Sequence, residues 1–227
     1  MKKILALRLL ALFACAVVGI SAFAGKKKTI VVEPETAKIF VNGSEVGSGS
    51  YTLDFDRKTD FYMLRFEAPG YLDRTVKLYK NNPQNTISYR LYENEAEKNS
   101  IGGESGDLAN RWFDVTCRED MTEEIIWKRL MNIAVNNFED IEVRDKDAGW
   151  IKTGWVVTNF PHQAVRTRLE VRISFSDDDR ISYRVRLDSQ IKDADCRGNN
   201  CYVKYDRLLS KYADVVQQLT TSVGSNL

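Results

Sequence analysis

From Val165 to Phe175 the chain alternates without a break: Val165, Thr167, Leu169, Val171, Ile173 and Phe175 are interleaved with Arg166, Arg168, Glu170, Arg172 and Ser174. Successive side chains of an extended strand point to opposite faces, so this run belongs in a sheet with one dry face and one wet, charged face. Ile181, Tyr183, Val185 and Leu187 alternate likewise. Dry face meets dry face only if Phe175 lies opposite Ile181, which leaves Asp177-Asp178-Asp179 as the turn. That register sets Glu170 against Arg186 and Arg168 against Asp188, and sets Arg172 against Arg184 with no acid on the same rung.

Whatever covers the dry face must itself be amphipathic, and two stretches qualify. Thr122, followed by Glu123 and Glu124, opens a helix to about Phe138, because an N-cap hydroxyl and early carboxylates suit a helix start. Ile126, Trp127, Leu130, Ile133, Ala134 and Phe138 form its stripe, with Arg129, Asn132 and Asn136 opposite. A second helix is expected from about Lys204 to Val223. Tyr205, Leu208, Leu209, Tyr212, Val215, Val216, Leu219 and Val223 lie on one side, and Arg207, Lys211, Asp214 and Gln218 on the other. A strand at Arg111–Cys117, with Cys117 a buried thiol, and a hairpin of 141–144 and 149–158 turning at 145–148 complete the set. Residues 110–224 are thus expected to run β-α-β-β-β-β-α, an antiparallel sheet with two helices packed on one face. In element order alone this is similar to helix-grip and TBP-like modules.

Residues 26–92 are different in kind. Short alternating runs, Thr29–Val32, Ala37–Val41, Tyr51–Phe55, Phe61–Phe66, Tyr71–Tyr79 and Thr86–Leu91, are separated by turn residues, as in a small β-sandwich. Asn42-Gly43 marks a hairpin and Pro69-Gly70 a second turn, while Gly47, Gly49 and the serines between them read as a flexible turn. Pro34-Glu35-Thr36-Ala37, Lys38-Ile39-Phe40-Val41-Asn42-Gly43, Val46-Gly47 and Ala68-Pro69-Gly70-Tyr71 resemble the PEGA domain over residues 28–92. Thr36 stands where that family has glycine, and Gly49-Ser50 where it has Thr-Pro. The resemblance implies a β-sandwich adaptor of surface and envelope proteins without catalytic residues. Glu93 to Ala109, polar and glycine-containing, reads as an interdomain linker. The fold class is therefore α+β in two domains.

Residues 1–24 have the form of a cleavable export signal: Lys2 and Lys3, an apolar core from Leu9 to Ile20, then Ser21-Ala22-Phe23-Ala24, with cleavage between Ala24 and Gly25. The apolar stretch after Arg8 falls short of the roughly 20 residues that span a bilayer. Leu12-Phe13-Ala14-Cys15 loosely resembles a lipobox, and lipidation at Cys15 is the route by which the chain would be held at a membrane. Loss of Lys2, Lys3 and Arg8 takes the formal charge from +1 to −2, which gives no electrostatic footprint for nucleic acid. In an oxidising compartment Cys196 and Cys201 are spaced to close a disulfide loop. A zinc site from that pair with Cys117 and His162 is the lesser alternative, because structural zinc sites pair two short ligand knuckles.

No cofactor loop, metal cluster or nucleophile motif stands out, and neither a cofactor nor a metal is expected. Two features suggest binding. One is the basic series Arg166, Arg172 and Arg184, suited to an acidic protein, glycan or lipid surface and otherwise an ordinary solvated sheet face. The other is the loop of Phe160 and His162 near Trp150 and Trp155, which otherwise are core aromatics. The sequence thus leads to an exported periplasmic or cell-envelope interaction and assembly module. A small-ligand binder with a pocket between sheet and last helix comes second, and a hydrolase using His162 third.

Overall fold

The computed structural model describes residues 26–101, 108–175 and 180–225. The export signal with Cys15, Ala24 and Gly25, and the turn at Asp177-Asp178-Asp179, lie outside the described residues. The fold is α+β, mostly sheet, and the chain divides between Leu91 and Tyr92 into two compact units.

The first unit has strands β1 (Lys26–Glu33), β2 (Lys38–Val41), β3 (Ser44–Ser48), β4 (Ser50–Phe55), β5 (Phe61–Glu67), β6 (Arg74–Tyr79) and β7 (Thr86–Arg90). They form two sheets, β4-β1-β7 and β3-β2-β5-β6. Alternation puts Ile30, Val32, Leu53, Phe55 and Ile87 of one and Ile39, Leu64, Phe66 and Leu78 of the other into a single core. The Asn42-Gly43 hairpin has φ of +49° and +88°, the geometry that residue pair favours. The strand after the Asn42-Gly43 hairpin runs on through Gly47 and Ser48, expected as part of a flexible turn, because both residues pair with β2. Lys28 is buried on β1, and its ammonium donates to the carbonyls of Asn82, at 2.6 Å, and Gln84. Burial lowers its pKa, and the charge of Lys26 adds to this.

The second unit contains α1 (Glu95–Lys98), β8 (Ser100–Ile101), β9 (Trp112–Thr116), α2 (Glu123–Asn137), β10 (Ile141–Asp145), β11 (Trp150–Thr153), β12 (Val156–Asn159), β13 (Gln163–Phe175), β14 (Ile181–Asp193), β15 (Val203–Lys204), β16 (Leu208–Leu209) and α3 (Ala213–Val223). β13 and β14 form the spine in the register that alternation demands, from Gln163 opposite Asp193 to Phe175 opposite Ile181. β11 and β12 flank β13 on one side, and β9 and β15 flank β14 on the other. All these pairings are antiparallel. Leu169, Val171, Tyr183, Val185 and Leu187 share one core with Ile126, Trp127, Leu130 and Ile133 of α2 and Val215, Leu219 and Val223 of α3. Thr122 caps α2, its hydroxyl accepting from the Ile125 amide. Cys117 is free and buried in this core, and burial pushes its thiol up to about 11.

Three expectations change here. Residues 95–101 of the supposed linker are folded: Asn94 caps α1, Ala96 is buried, and β8 pairs with β16. The stretch is too poor in apolar residues to announce this, since one alanine and a two-residue pairing suffice to dock it. The strand expected over 149–158 is broken into β11 and β12. Lys152 lies opposite Glu170 but Val156 opposite Thr167, so one extra residue is accommodated around Gly154 and Trp155, a bulge that shifts side-chain parity. The last helix begins at Ala213, not near Lys204. β14 runs past the end of β9, and β15 pairs with its Gln190 and Ile191, which draws Val203 and Lys204 out of any helix.

Candidate functional site

The face of the second sheet turned away from the helices is built rung by rung from the β13–β14 register. The first rung reads Trp150, Arg172, Arg184, Asp114 across β11, β13, β14 and β9. The next reads Lys152, Glu170, Arg186, Trp112. Arg168 then faces Asp188, and the rung after it reads Val157, Arg166, Gln190, Lys204. Because the bulge flips parity, Trp155 arrives on this face beside Arg166 and Arg168 rather than in the core.

These side chains form a layer of arginines laid over aromatic rings. The Trp112 ring has the guanidinium carbons of Arg186 at 4.5 Å, Arg184 at 5.5 Å and Arg172 at 5.9 Å. Trp150 carries Arg172 at 4.9 Å, and Trp155 carries Arg168 at 4.3 Å and Arg166 at 4.4 Å. Each is within cation–π range, and a planar guanidinium stacks where an ammonium would not. Carboxylates lie among them. Glu170, only 3 % exposed, meets Arg172 at 2.6 Å and Arg186 at 2.8 Å, while Asp188 meets Arg168 at 2.9 Å and Arg186 at 2.8 Å. Burial would raise the Glu170 pKa, but the hydrogen bond and charge of Arg172, with the charges of Arg186 and Arg168, outweigh it and hold the carboxyl below its usual range.

The rung of Arg172 and Arg184 is not without acids, contrary to expectation. Arg172 takes Glu170 two residues away on its own strand, and Arg184 takes Asp114 at 3.4 Å from β9. Glu170 lies one rung away on the same strand, β13, while Asp114 comes from a strand far earlier in the chain and is not visible from β13 and β14 alone. Both arginines still keep about half their side chain in solvent, 54 % and 50 %.

Arg166 sits some six residues further along β13, about 20 Å from Arg172 at the usual strand rise. Its Nε and Nη2 donate to Gln190 Oε1 at 2.8 and 2.6 Å, and it lies against Trp155 and, at 4.0 Å, Tyr202. Burial lowers its pKa, Tyr202 opposes this and Arg168 adds to it. Tyr202 is presented by the segment closed by the Cys196–Cys201 disulfide. Since the two cysteines are bonded to each other, the Cys-x4-Cys spacing is not a metal knuckle.

Phe160 and His162 do not form a patch with the tryptophans. Phe160 packs against the helix-side core, opposite the face that carries Trp150 and Trp155. His162 is exposed and stacks on Tyr92 at 4.1 Å, its backbone carbonyl accepting from the Ala194 amide. Of the four tryptophans, Trp127 is the one in the core; the other three floor the arginine layer. Trp112, Gln190 and Tyr202 are not marked by the sequence reading, which places Trp155 with the Phe160–His162 loop or in the core rather than under the arginines. The available signal was the recurrence of arginine at every second residue on two long strands, with tryptophan on their neighbours.

Among the described residues no helix is long and apolar enough to cross a membrane. A cleft of about 300 Å³ opens where α2 ends and the chain enters α3, lined by Asn137, Phe138, Glu139, Val156, Lys211 and Tyr212. No protein-family model matches the chain, and none of the curated proteins does. Among solved structures it is similar to a protein of unknown function from Bacteroides fragilis NCTC 9343, named for a suspected association with the membrane. The two share 12 % identity over 73 % of this chain and 96 % of the other, with a TM-score of 0.27, a likeness too loose to carry an argument about fold or function.

Proposed function

We propose that this chain is an exported bacterial cell-envelope protein, a non-catalytic interaction and assembly module whose working surface is the arginine and tryptophan face of the second unit. The observation that carries the reading is that layer. An open sheet face covered only by water needs no ordered tryptophan floor, and aromatic and arginine side chains together are what interfaces concentrate. Export is supported by the form of residues 1–24 and by the Cys196–Cys201 disulfide, which persists in oxidising compartments. The first unit, a two-sheet sandwich with its Asn42-Gly43 hairpin, fits a PEGA-like adaptor.

The test is capture of partners from envelope fractions by the mature protein, comparing wild type with the double variant Arg172→Ala/Arg184→Ala. Loss of partners in the variant supports the reading, and an unchanged set removes this face from it. The α2–α3 cleft favours a second reading, a small-ligand binder. A ligand recovered from the native protein that shields Glu139 and Lys211, exposed residues of the cleft lining, from solvent would establish that one instead.

A further inference from the structure

One arginine of this face breaks the pattern of the others. Arg168, Arg172, Arg184 and Arg186 each meet a carboxylate of the protein. Arg166 meets none among the described residues: its hydrogen-bond partner is the neutral amide of Gln190, and its flat sides lie against Trp155 and Tyr202. A guanidinium withdrawn from water toward aromatic rings is stable when an anion completes it, and the described residues supply no such anion here. Among the described residues no acceptor meets the Arg166 Nη1. Lys204 stands on the same rung beyond Gln190, and Lys192, over the Tyr202 ring at 5.1 Å, is two residues further along β14. Asp193 ends β14 and Asp195 and Asp206 lie in the flanking loops, and among the described residues no ion pair joins them to these three cations. The corner is fixed by the disulfide loop, since Lys192 donates to the Cys196 carbonyl at 3.1 Å and the bonded segment delivers Tyr202.

We propose that the corner of Arg166, Lys192 and Lys204 is an oxyanion-binding site, and that its ligand is an acidic group of an extended anionic polysaccharide lying along β13 toward Arg172 and Arg184. The proposal rests on the interaction reading above and names its ligand. Cations stand at both ends of a track about 20 Å long along β13, which a small anion would touch at one end only. A peptide adding to this sheet would pair along a strand edge, such as that of β12 or β15, rather than lie over the face that carries these cations. A bilayer would need a stripe of apolar side chains, where the exposed aliphatic residue on this face is Val157.

Binding of the full mature protein to polygalacturonate, dextran sulfate, neutral dextran, poly-L-glutamate and inorganic sulfate, measured by calorimetry, decides it. The expected result is binding of both acidic polysaccharides and not of neutral dextran. Arg166→Gln should weaken it about tenfold, as loss of a charge-assisted contact does, while Lys38→Gln in the first unit leaves it unchanged. Arg166→Lys, which keeps the charge and safeguards the fold, should fall between the two. Equal affinity of Arg166→Gln and wild type, binding of poly-L-glutamate in preference to the polysaccharides, or full occupancy by sulfate alone would each overturn the proposal. If envelope partners are still captured while neither polysaccharide binds, the interaction reading stands and this ligand falls.

Discussion

Glu170 on β13 and Arg186 on β14 face each other across the strand pair and meet at 2.8 Å, although the carboxylate is almost wholly withdrawn from solvent. Arg172 closes on the other oxygen, so a single acid holds two arginines of the surface layer. Glu170→Ala leaves Arg172 without its carboxylate and Arg186 with Asp188 alone, and is expected to destabilise the second unit by about 3 kcal/mol, the scale of breaking a partly buried ion pair. Urea denaturation of the whole chain measures it. A loss under about 1 kcal/mol would mean that solvent already screens the cluster.

The same residue makes a pH prediction. Its folded pKa is depressed, so the stability it contributes is present above the unfolded value of about 4.3 and is lost as pH falls through the folded value. Wild type should lose stability on acidification below about pH 4 more steeply than Glu170→Gln, whose amide does not titrate. Parallel melting curves between neutrality and pH 3 would reveal the difference, and superimposable profiles would remove Glu170 as its source.

Gly149 has φ of +58°, and a Cβ there would fall 2.4 Å from the Ile173 Cβ. Gly149→Ala therefore combines left-handed strain with a core clash and is expected to cost more than about 2 kcal/mol. Gly43 has φ of +88° but open space around it. Gly43→Ala should cost roughly 1 kcal/mol, strain alone. Chemical denaturation of the two variants separates the contributions, and equal losses would show that the contact with Ile173 relaxes freely.

Reduction, or the double change Cys196→Ser/Cys201→Ser, should lower stability by about 2 kcal/mol, the chain-entropy worth of so short a loop. Calorimetric melts with and without reductant are the measurement, and identical melts would place the bond outside the cooperative unit.

Cys117 behaves oppositely. With its thiol held near 11 and buried, it should resist alkylation at pH 8 in native protein and react only as urea exposes it. A reaction rate equal to that of a free thiol in native buffer would show that the β9 end of the core opens readily.

How far the sequence discloses this arrangement depends on where each residue's partners lie along the chain. Strict alternation in β13 and β14 admits one register that keeps Leu169, Val171, Tyr183 and Val185 dry, so Glu170 and Arg186 could be paired on paper. The spacing of Ile126, Leu130 and Ile133, with Thr122 before them, was equally decisive for α2. Arg184 and Asp114 could not be paired, because nothing local to β14 says that β9 is its neighbour. Trp155, read either as part of a contact patch with Phe160 and His162 or as a core aromatic, lies under the arginines for a different reason. A single residue inserted near Gly154 reverses parity, and alternating patterns carry no mark of such an insertion. Tyr205, Leu208 and Leu209 satisfy a helical stripe as well as they satisfy β15 and β16 and their surroundings, and only the unpaired edge of β14 and the distant Ser100 and Ile101 decide between the two.

That last pairing has a practical consequence. Ser100 and Ile101 join Leu209 and Leu208, fastening the beginning of the second unit to the stretch just before its closing helix. A fragment trimmed to start at Asn110 would strip two buried leucines of their strand partner and invite self-association through the vacated edge. Recombinant expression of this half should begin no later than Tyr92.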